Sequence, residues 1–370
     1  MSLDPRVRSG PLAKLSFHIN EVRQHKWELA LTLGIALAGA LIFGWLRLPL
    51  PWMLGPLFGV TIAALSGLNI WMPEWPRSLM IGVLGVFFGT TISPDFAEQI
   101  LKWLPSIVAL LISVIITTAI VMAYFRTFAG HDPVTAYFSA NPGGMIPMAL
   151  MGRHYGGDER LISMIQSIRM VLTVITFPMA FRFLAGYEPT GTVGTGATFA
   201  DMALIDFPVI LALAIAGALL ARRLRVPVPL LLGPMILIGF LSVAGVGSWQ
   251  IPDGLVAFAQ LVIGARIGAT FKNIQLKTVG VQLVHAVIAA YMMMGLAVFF
   301  AWLATFVSEI PALALILAFA PGGFAEMTIV GFGLGADIAF IVSHQLIRFF
   351  FIIGLVPIAV RIMKFEPKDP

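Results

Sequence analysis

The stretch Asn141-Pro142-Gly143-Gly144 interrupts an apolar segment, and Ala320-Pro321-Gly322-Gly323 interrupts another one 179 residues later. The eight residues 49–56 recur as 227–234, with five identities and an offset of 178 residues. Chance similarity between apolar segments would not hold one register through glycine, proline, aspartate, glutamine and arginine. The pattern therefore predicts a duplicated chain whose two halves each contain a broken segment.

The composition places this chain among membrane proteins. Of its 370 residues, 59% are hydrophobic and only 11% are charged, and the mean hydropathy is +0.95. A soluble domain carries about 25% charged residues. This high hydrophobic and low charged content excludes an ordinary soluble enzyme, a coiled coil and a disordered regulator. With no cysteine, the chain has no disulfide, thiolate metal site or cysteine nucleophile.

A spanning helix needs about 20 mostly apolar residues. Twelve hydrophobic segments are predicted, at 28–45, 50–68, 78–92, 99–124, 134–151, 161–181, 205–221, 229–246, 255–271, 279–306, 311–330 and 339–360. The polar head lacks the pattern of a removable signal peptide. We expect five parts: a cytoplasmic or interfacial N-terminal segment (1–26), a first membrane repeat (27–184), a linker (185–204), a second membrane repeat (205–364) and a C-terminal tail (365–370).

The positive charges distinguish parallel from inverted repeats. If all twelve segments cross, 11 Lys and Arg lie inside and 9 outside, a poor fit to the rule that positive loops stay in the cytoplasm. If 134–151 and 311–330 are re-entrant, so that each enters and leaves on the same side, 17 Lys and Arg lie inside and 3 outside. If the third and ninth segments, 78–92 and 255–271, are re-entrant instead, 15 Lys and Arg lie inside and 5 outside. Both alternatives predict an all-α polytopic membrane protein with two inverted repeats, each of about five transmembrane helices plus one broken or re-entrant segment.

Broken helices in inverted repeats suggest a ligand site. Non-helical backbone at membrane depth is tolerated where it is buried in protein or lines a cavity, and in secondary transporters it forms the substrate site. The N-terminal ends of the half-helices that follow each break would suit an anion. The alternative is a kink used only for packing. Candidate substrate-binding residues at the breaks are Asn141, Gly143, Gly144, Gly322 and Gly323.

A Gln-x-x-Arg pair follows each break, as Gln166 with Arg169 and as Gln345 with Arg348. Residues three apart share a helix face, and an arginine at mid-membrane needs a cavity or a partner. Either these arginines hold or gate an anionic substrate, or they bond to the carbonyls of the broken segment. All four residues are candidate substrate-binding residues.

Glu326 breaks the symmetry, because the first repeat has Pro147 at this position. It either pairs with Arg348 or carries a coupling proton. His344 is a candidate proton relay, or a hydrogen-bonded packing residue. Arg266 either neutralises Glu326 or faces water on the inner side.

Enzyme and nucleic-acid functions find little support. Hydrolase, zinc-protease, P-loop and dinucleotide motifs are missing, and the histidines do not cluster at metal-ligand spacing. We therefore expect no enzyme, no cofactor and no metal. The 27-residue head is too short for a helix-turn-helix, so direct nucleic-acid binding is not expected.

The Pro-Gly-Gly elements with Gly152 and Gly331, and the Leu-Gly-Pro elements at 54–56 and 232–234, resemble the bacterial membrane AbrB-duplication family. The resemblance covers about Trp27 to Lys364. It implies an inner-membrane protein whose relatives are labelled regulators of gene expression or ammonia monooxygenases, and it carries over no catalytic residues.

Together these observations predict a multi-pass transporter of the bacterial inner membrane with both termini in the cytoplasm. The ligand is a small, anionic metabolite, the coupling ion is H⁺ or Na⁺, and the partners are the lipid bilayer and a second copy of the chain. The alternative is a membrane sensor that regulates gene expression by binding the ligand without transport.

Overall fold

The computed structural model describes residues 20–92, 99, 102–186, 197–198, 206–246, 249–273 and 276–367. Most of the predicted N-terminal segment and linker, and the last three residues of the predicted tail, lie outside this part. Fourteen α-helices lie in full within it. They are α1 (Lys26–Trp45), α2 (Pro51–Leu65), α3 (Glu74–Thr90), α4 (Leu104–Thr127), α5 (Pro133–Ala140), α6 (Met145–His154), α7 (Glu159–Phe183), α8 (Asp206–Arg223), α9 (Pro229–Val243), α10 (Asp253–Ala269), α11 (Leu276–Ala304), α12 (Ala312–Phe319), α13 (Phe324–Gly333) and α14 (Ile338–Met363).

The helices confirm an all-α polytopic membrane protein. Six of them in the described chain are long and apolar enough to cross a bilayer: α1, α4, α7, α10 with the short 3₁₀ turn after it, α11 and α14. Helices α8–α14 repeat α1–α7 in order, and α12 and α13 begin 179 residues after α5 and α6. Whether α2, α3, α8 and α9 also cross the membrane stays a prediction.

The chain divides into two compact units. The smaller contains α1, α2, α3 as far as Met80 and α10 from Ala257, and the larger contains the remaining helices. In the smaller unit, Gly39 and Gly55 let the backbones of α1 and α2 touch, so a Cβ on either would collide with the other. Gly217 and Gly233 do the same for α8 and α9 in the larger unit. Glycine is required at these crossings because no other residue lets two helices approach so closely.

Helices α5 and α6 form a hairpin and do not continue in one direction. The Asp158 amide, beyond the end of α6, donates to Oγ1 of Thr135 at the start of α5 over 2.9 Å. Between these ends, the rings of Phe138 and Tyr155 stack with centroids 6.2 Å apart. The end of α6 therefore lies beside the beginning of α5. We call this pair hairpin 1, with its tip at 141–144 and its opening at 133–158.

Helices α12 and α13 form the equivalent hairpin 2, with its tip at 320–323 and its opening at 312–337. A Cβ on Gly331 of α13 would lie 4.0 Å from Cδ1 of Leu317 in α12. Gly152 and Phe138 hold the equivalent positions in hairpin 1 and are also neighbours. Proline cannot continue a helix, which explains why α5 and α12 end just before the Pro-Gly-Gly elements. The segments 134–151 and 311–330 are therefore the ones that fold back on themselves, and α3 and α10 are unbroken helices.

Helix α14 shows that the two hairpins open in opposite directions. It starts at the opening of hairpin 2, where the Ala336 amide donates to the Gly331 carbonyl over 2.8 Å. It then passes the tip of hairpin 1, and Phe365 just beyond its end lies 6.2 Å, ring to ring, from Tyr137 in α5. A 26-residue helix is about 39 Å long, more than the roughly 30 Å core of a bilayer. The hairpin openings thus face opposite ends of one membrane-length helix, as inverted repeats require.

Candidate functional site

The tip of hairpin 1 is buried and only partly hydrogen-bonded. Asn141 ends α5, is 3% exposed and donates from Nδ2 to the Tyr137 hydroxyl over 3.3 Å, but its Oδ1 has no hydrogen-bond partner. Gly143 packs against α14, where a Cβ would lie 2.6 Å from Cγ2 of Ile352. Gly144 has a φ of +92°, which favours glycine, and it begins α6 without a side-chain cap.

Gln166 and Arg169 on α7 reach this tip, as the sequence predicts. Gln166 donates from Nε2 to the carbonyls of Phe138 and Asn141, over 2.8 and 2.9 Å. Arg169 makes one long bond, 3.4 Å to the Asn141 carbonyl, and its Nε has no partner. Arg169 as a whole is 4% exposed. In this half Gln166 makes the hydrogen bonds that hold the hairpin, and Arg169 is a buried side chain with an N–H donor that has no acceptor.

In hairpin 2 the same two residue types exchange roles. Arg348 donates to the carbonyls of Phe319, Ala320 and Gly322, the shortest of these bonds being 2.5 Å to Ala320. Gln345 is fully buried, and neither polar atom of its amide has a partner. Here the arginine holds the hairpin, as the bonding alternative from the sequence proposed, and the glutamine is left with unused capacity.

Glu326 lies at the tip of hairpin 2. It is 2% exposed and stands in the first turn of α13. One of its carboxyl oxygens occupies the space beside the Gly323 Cα, where any side chain would have to lie. A carboxylate in the first helical turn is stabilised by the free N–H groups and the helix dipole. The N-terminus of α13, one of the two predicted anion sites, is therefore already supplied with an anionic group of the chain itself.

The two tips lie against reciprocal positions of the two long helices. A Cβ on Gly144 would be 3.6 Å from the ring of Phe349 on α14, and a Cβ on Gly323 would be 3.4 Å from the sulfur of Met170 on α7. Met170 and Phe349 hold the same position in the two repeats and directly follow the two arginines. The structure thus brings both tips, both arginines and Glu326 into one buried region.

The charges of this region do not cancel. Apart from two histidines and Tyr137, the buried ionisable residues in the described chain are Arg169, Arg348 and Glu326. Two guanidinium groups and one carboxylate leave an excess of one positive charge. Because an unbalanced charge at membrane depth is costly, the region favours an additional anion.

His344 lies on α14 but faces α4. Its Nδ1 is 2.9 Å from the Phe340 carbonyl and its Nε2 is 2.9 Å from the Ser106 hydroxyl, so both ring nitrogens have partners. Ser106 is the contact that the sequence did not reveal, because a serine in an apolar helix carries no distinctive signal. The arrangement matches the packing alternative for this histidine, and a relay role stays a prediction.

Arg266 belongs to the smaller unit and pairs with a carboxylate of that unit. Its Nε lies 2.7 Å from the Glu74 carboxylate, which is half-exposed at the start of α3. Neutralisation of Glu326 by Arg266 stays a prediction. The other expectation, contact with water at one face, agrees with the exposure of Glu74.

A further cavity opens beside hairpin 2. It has a volume of about 360 Å³ and is lined by Thr91, Gln99, Phe332, Gly335, Ala336, Asp337, Ile338 and Ala339. The Asp337 carboxylate here caps α14 by accepting from the Phe340 amide over 3.1 Å. The sequence did not reveal this cavity, because its lining comes from separate parts of the chain.

These features define the class of protein: an α-helical, multi-pass membrane protein with two oppositely directed hairpins that meet at a buried, positively charged centre. The chain matches the family model described as "Transition state regulatory protein AbrB" over residues 9–76 and 52–364, and it belongs to that family. The resemblance drawn from the Pro-Gly-Gly motifs is confirmed.

Two relatives extend along almost the whole chain. "Putative regulator AbrB" of Escherichia coli strain K12 is 24% identical over 345 residues, which cover 93% of this chain and 98% of the relative. "Uncharacterized protein YhjN" of Bacillus subtilis strain 168 is 27% identical over 355 residues, which cover 90% of this chain and 92% of the relative. The same architecture is therefore expected along the full length of both relatives.

Proposed function

We propose that this protein is a secondary transporter of the bacterial inner membrane that moves a small anionic metabolite by alternating access. The observation that supports this most strongly is the pair of hairpins that open in opposite directions and meet at a centre with one excess positive charge. Hairpins entering from two sides give a central ligand two routes to water, and inverted repeats exchange these routes in known secondary transporters.

The unused hydrogen-bonding atoms support a polar ligand at this centre. Buried polar groups are nearly always paired, so groups without partners need a structural or functional explanation. The Arg169 Nε, the Asn141 Oδ1 and the Gln345 amide are such groups, and they belong to the tips or to the residues beside them. An anion with oxygen acceptors would bond to Arg169 and to the Gln345 amide nitrogen.

The proposal includes the remaining features of the transporter. Both termini are cytoplasmic, the functional unit is a homodimer, and neither a cofactor nor nucleic acid takes part. The coupling ion is H⁺, carried by Glu326 with His344 as relay, or else Na⁺. Flux measured under an imposed pH gradient or an imposed Na⁺ gradient separates these two ions, and light scattering of the purified protein in detergent gives the number of copies.

The experiment for transport is uptake of radiolabelled organic acids into proteoliposomes. We expect uptake by the native protein, loss of uptake in Arg169→Met, and near-native uptake in the control Arg361→Met, because Arg361 is exposed near the end of α14. Proteoliposomes that take up no organic acid above the level of protein-free vesicles would contradict the proposal.

A sensor is the second candidate, and the name of the E. coli relative favours it. A membrane sensor would bind its ligand at the same centre and change the expression of other genes without moving the ligand. Binding measured by calorimetry in detergent, together with no flux in proteoliposomes, would favour the sensor. Flux that depends on Arg169 would favour the transporter.

A further inference from the structure

The two halves of the central site are chemically different, although their sequences repeat. Hairpin 2 is supplied with its own charges: Arg348 bonds to its carbonyls, and the Glu326 carboxyl group lies against Gly323 at the start of α13. Hairpin 1 has a cation without a matching anion, because the first turn of α6 contains no acidic residue and Pro147 stands at the equivalent position.

Hairpin 1 also offers donors that lack acceptors. The amides of Met145 and Ile146 open α6 and have no acceptor inside the helix, as is true of every helix N-terminus. Arg169, which is almost wholly buried, aims at the same tip with one long bond and an unpartnered Nε. This guanidinium is the second, independent indication of a ligand.

We propose that hairpin 1 binds the carboxylate of the substrate through Arg169 and the α6 amides, and that Glu326 limits the substrate to one negative charge. This inference rests on the proposed function and adds the substrate class, a monocarboxylate. While Glu326 holds no proton, two buried guanidinium groups against its single carboxylate leave the site one positive charge to neutralise. A dicarboxylate would bring a second negative charge next to the Glu326 carboxylate, and like charges at short range repel strongly in a medium of low dielectric.

Glu326→Gln is the variant that tests the charge limit. It keeps the shape of the side chain and raises the excess charge of the site from one to two. We expect native proteoliposomes to take up labelled lactate at least tenfold faster than labelled malate at pH 7. In Glu326→Gln we expect the lactate-to-malate ratio to fall at least tenfold. Glu309→Gln, which removes an exposed carboxylate, is the matched control and should leave the ratio unchanged.

Folding is checked separately, so that a failed variant does not decide the result. Glu326→Asp keeps the charge and should keep the native preference, and calorimetric binding of lactate and malate in detergent repeats the comparison without vesicles. A native protein that handles lactate and malate equally, or a ratio that Glu326→Gln and Glu326→Asp leave unchanged, would overturn the charge limit but not transport. Failure to bind or move either acid would overturn the proposed function as well.

Discussion

The exchange of roles between the two Gln-x-x-Arg pairs predicts opposite consequences for two matched substitutions, Arg348→Met and Arg169→Met. Methionine keeps much of the length of arginine and removes every donor. Arg348→Met leaves three hairpin carbonyls without their donor, one of which was bonded at 2.5 Å and two at 3.4 Å.

The magnitudes follow from these bonds. A hydrogen bond to a charged group contributes about 1.5–3 kcal/mol, while polar contacts between membrane helices average about 0.6 kcal/mol. One short bond and two long ones give an expected loss of about 2–4 kcal/mol for Arg348→Met. Arg169→Met loses one bond of 3.4 Å and removes an unbalanced buried charge, so its cost should stay below about 1 kcal/mol.

The assay is equilibrium unfolding in mixed micelles with increasing dodecyl sulfate, followed by the fluorescence of the eight tryptophans. Lactate binding by calorimetry provides the second readout, and it should be abolished in Arg169→Met although that variant is stable. Equal destabilisation by the two substitutions, or full lactate binding by Arg169→Met, would refute the division of the arginines into one that holds a hairpin and one that holds a ligand.

Three further predictions concern packing and the two glutamines. Gln166→Leu should lower the unfolding free energy by about 1–3 kcal/mol, because it removes two hydrogen bonds to hairpin carbonyls, whereas Gln345→Leu should be near neutral in the same dodecyl sulfate titration. Gly55→Ala should prevent folding to a monodisperse protein, since its Cβ would strike the α1 backbone, and Gly34→Ala, with open space around it, should behave as native in size-exclusion chromatography. Gly143→Ala should lower the melting temperature by overpacking against α14, at a cost of about 1–3 kcal/mol, and Ile352→Leu, which removes the nearest methyl group, should restore part of the loss.

Local signals in the sequence were enough to predict the hairpins. Proline and paired glycines end α5 and α12, and aspartates begin the helices that follow, as Asp158 does by accepting from two amides of α7. The sorting of positive charges by side then predicted inversion, because that rule depends only on loop composition. The openings of hairpins 1 and 2 face opposite ends of α14, in agreement with that prediction.

The division of labour inside the site could not be predicted from the sequence. Both repeats contain the same Gln-x-x-Arg pattern, and only the folded geometry shows that Gln166 holds one hairpin while Arg348 holds the other. The pairing of Arg266 with Glu74 joins residues far apart in the chain, and hydrophobic periodicity contains no information about such partners. The bond between His344 and Ser106 escaped prediction for the same reason.

The most direct test of the central claim is the accessibility of single cysteines at the two hairpin openings, in a chain that has no native cysteine. Arg153 lies at the opening of hairpin 1 and Asp337 at the opening of hairpin 2, and both side chains are exposed. In intact cells treated with a membrane-impermeant maleimide, Asp337→Cys should be labelled from outside, and Arg153→Cys only after the membrane is opened. Labelling of both cysteines from the same face would contradict the inverted hairpins, and with them the central anion site.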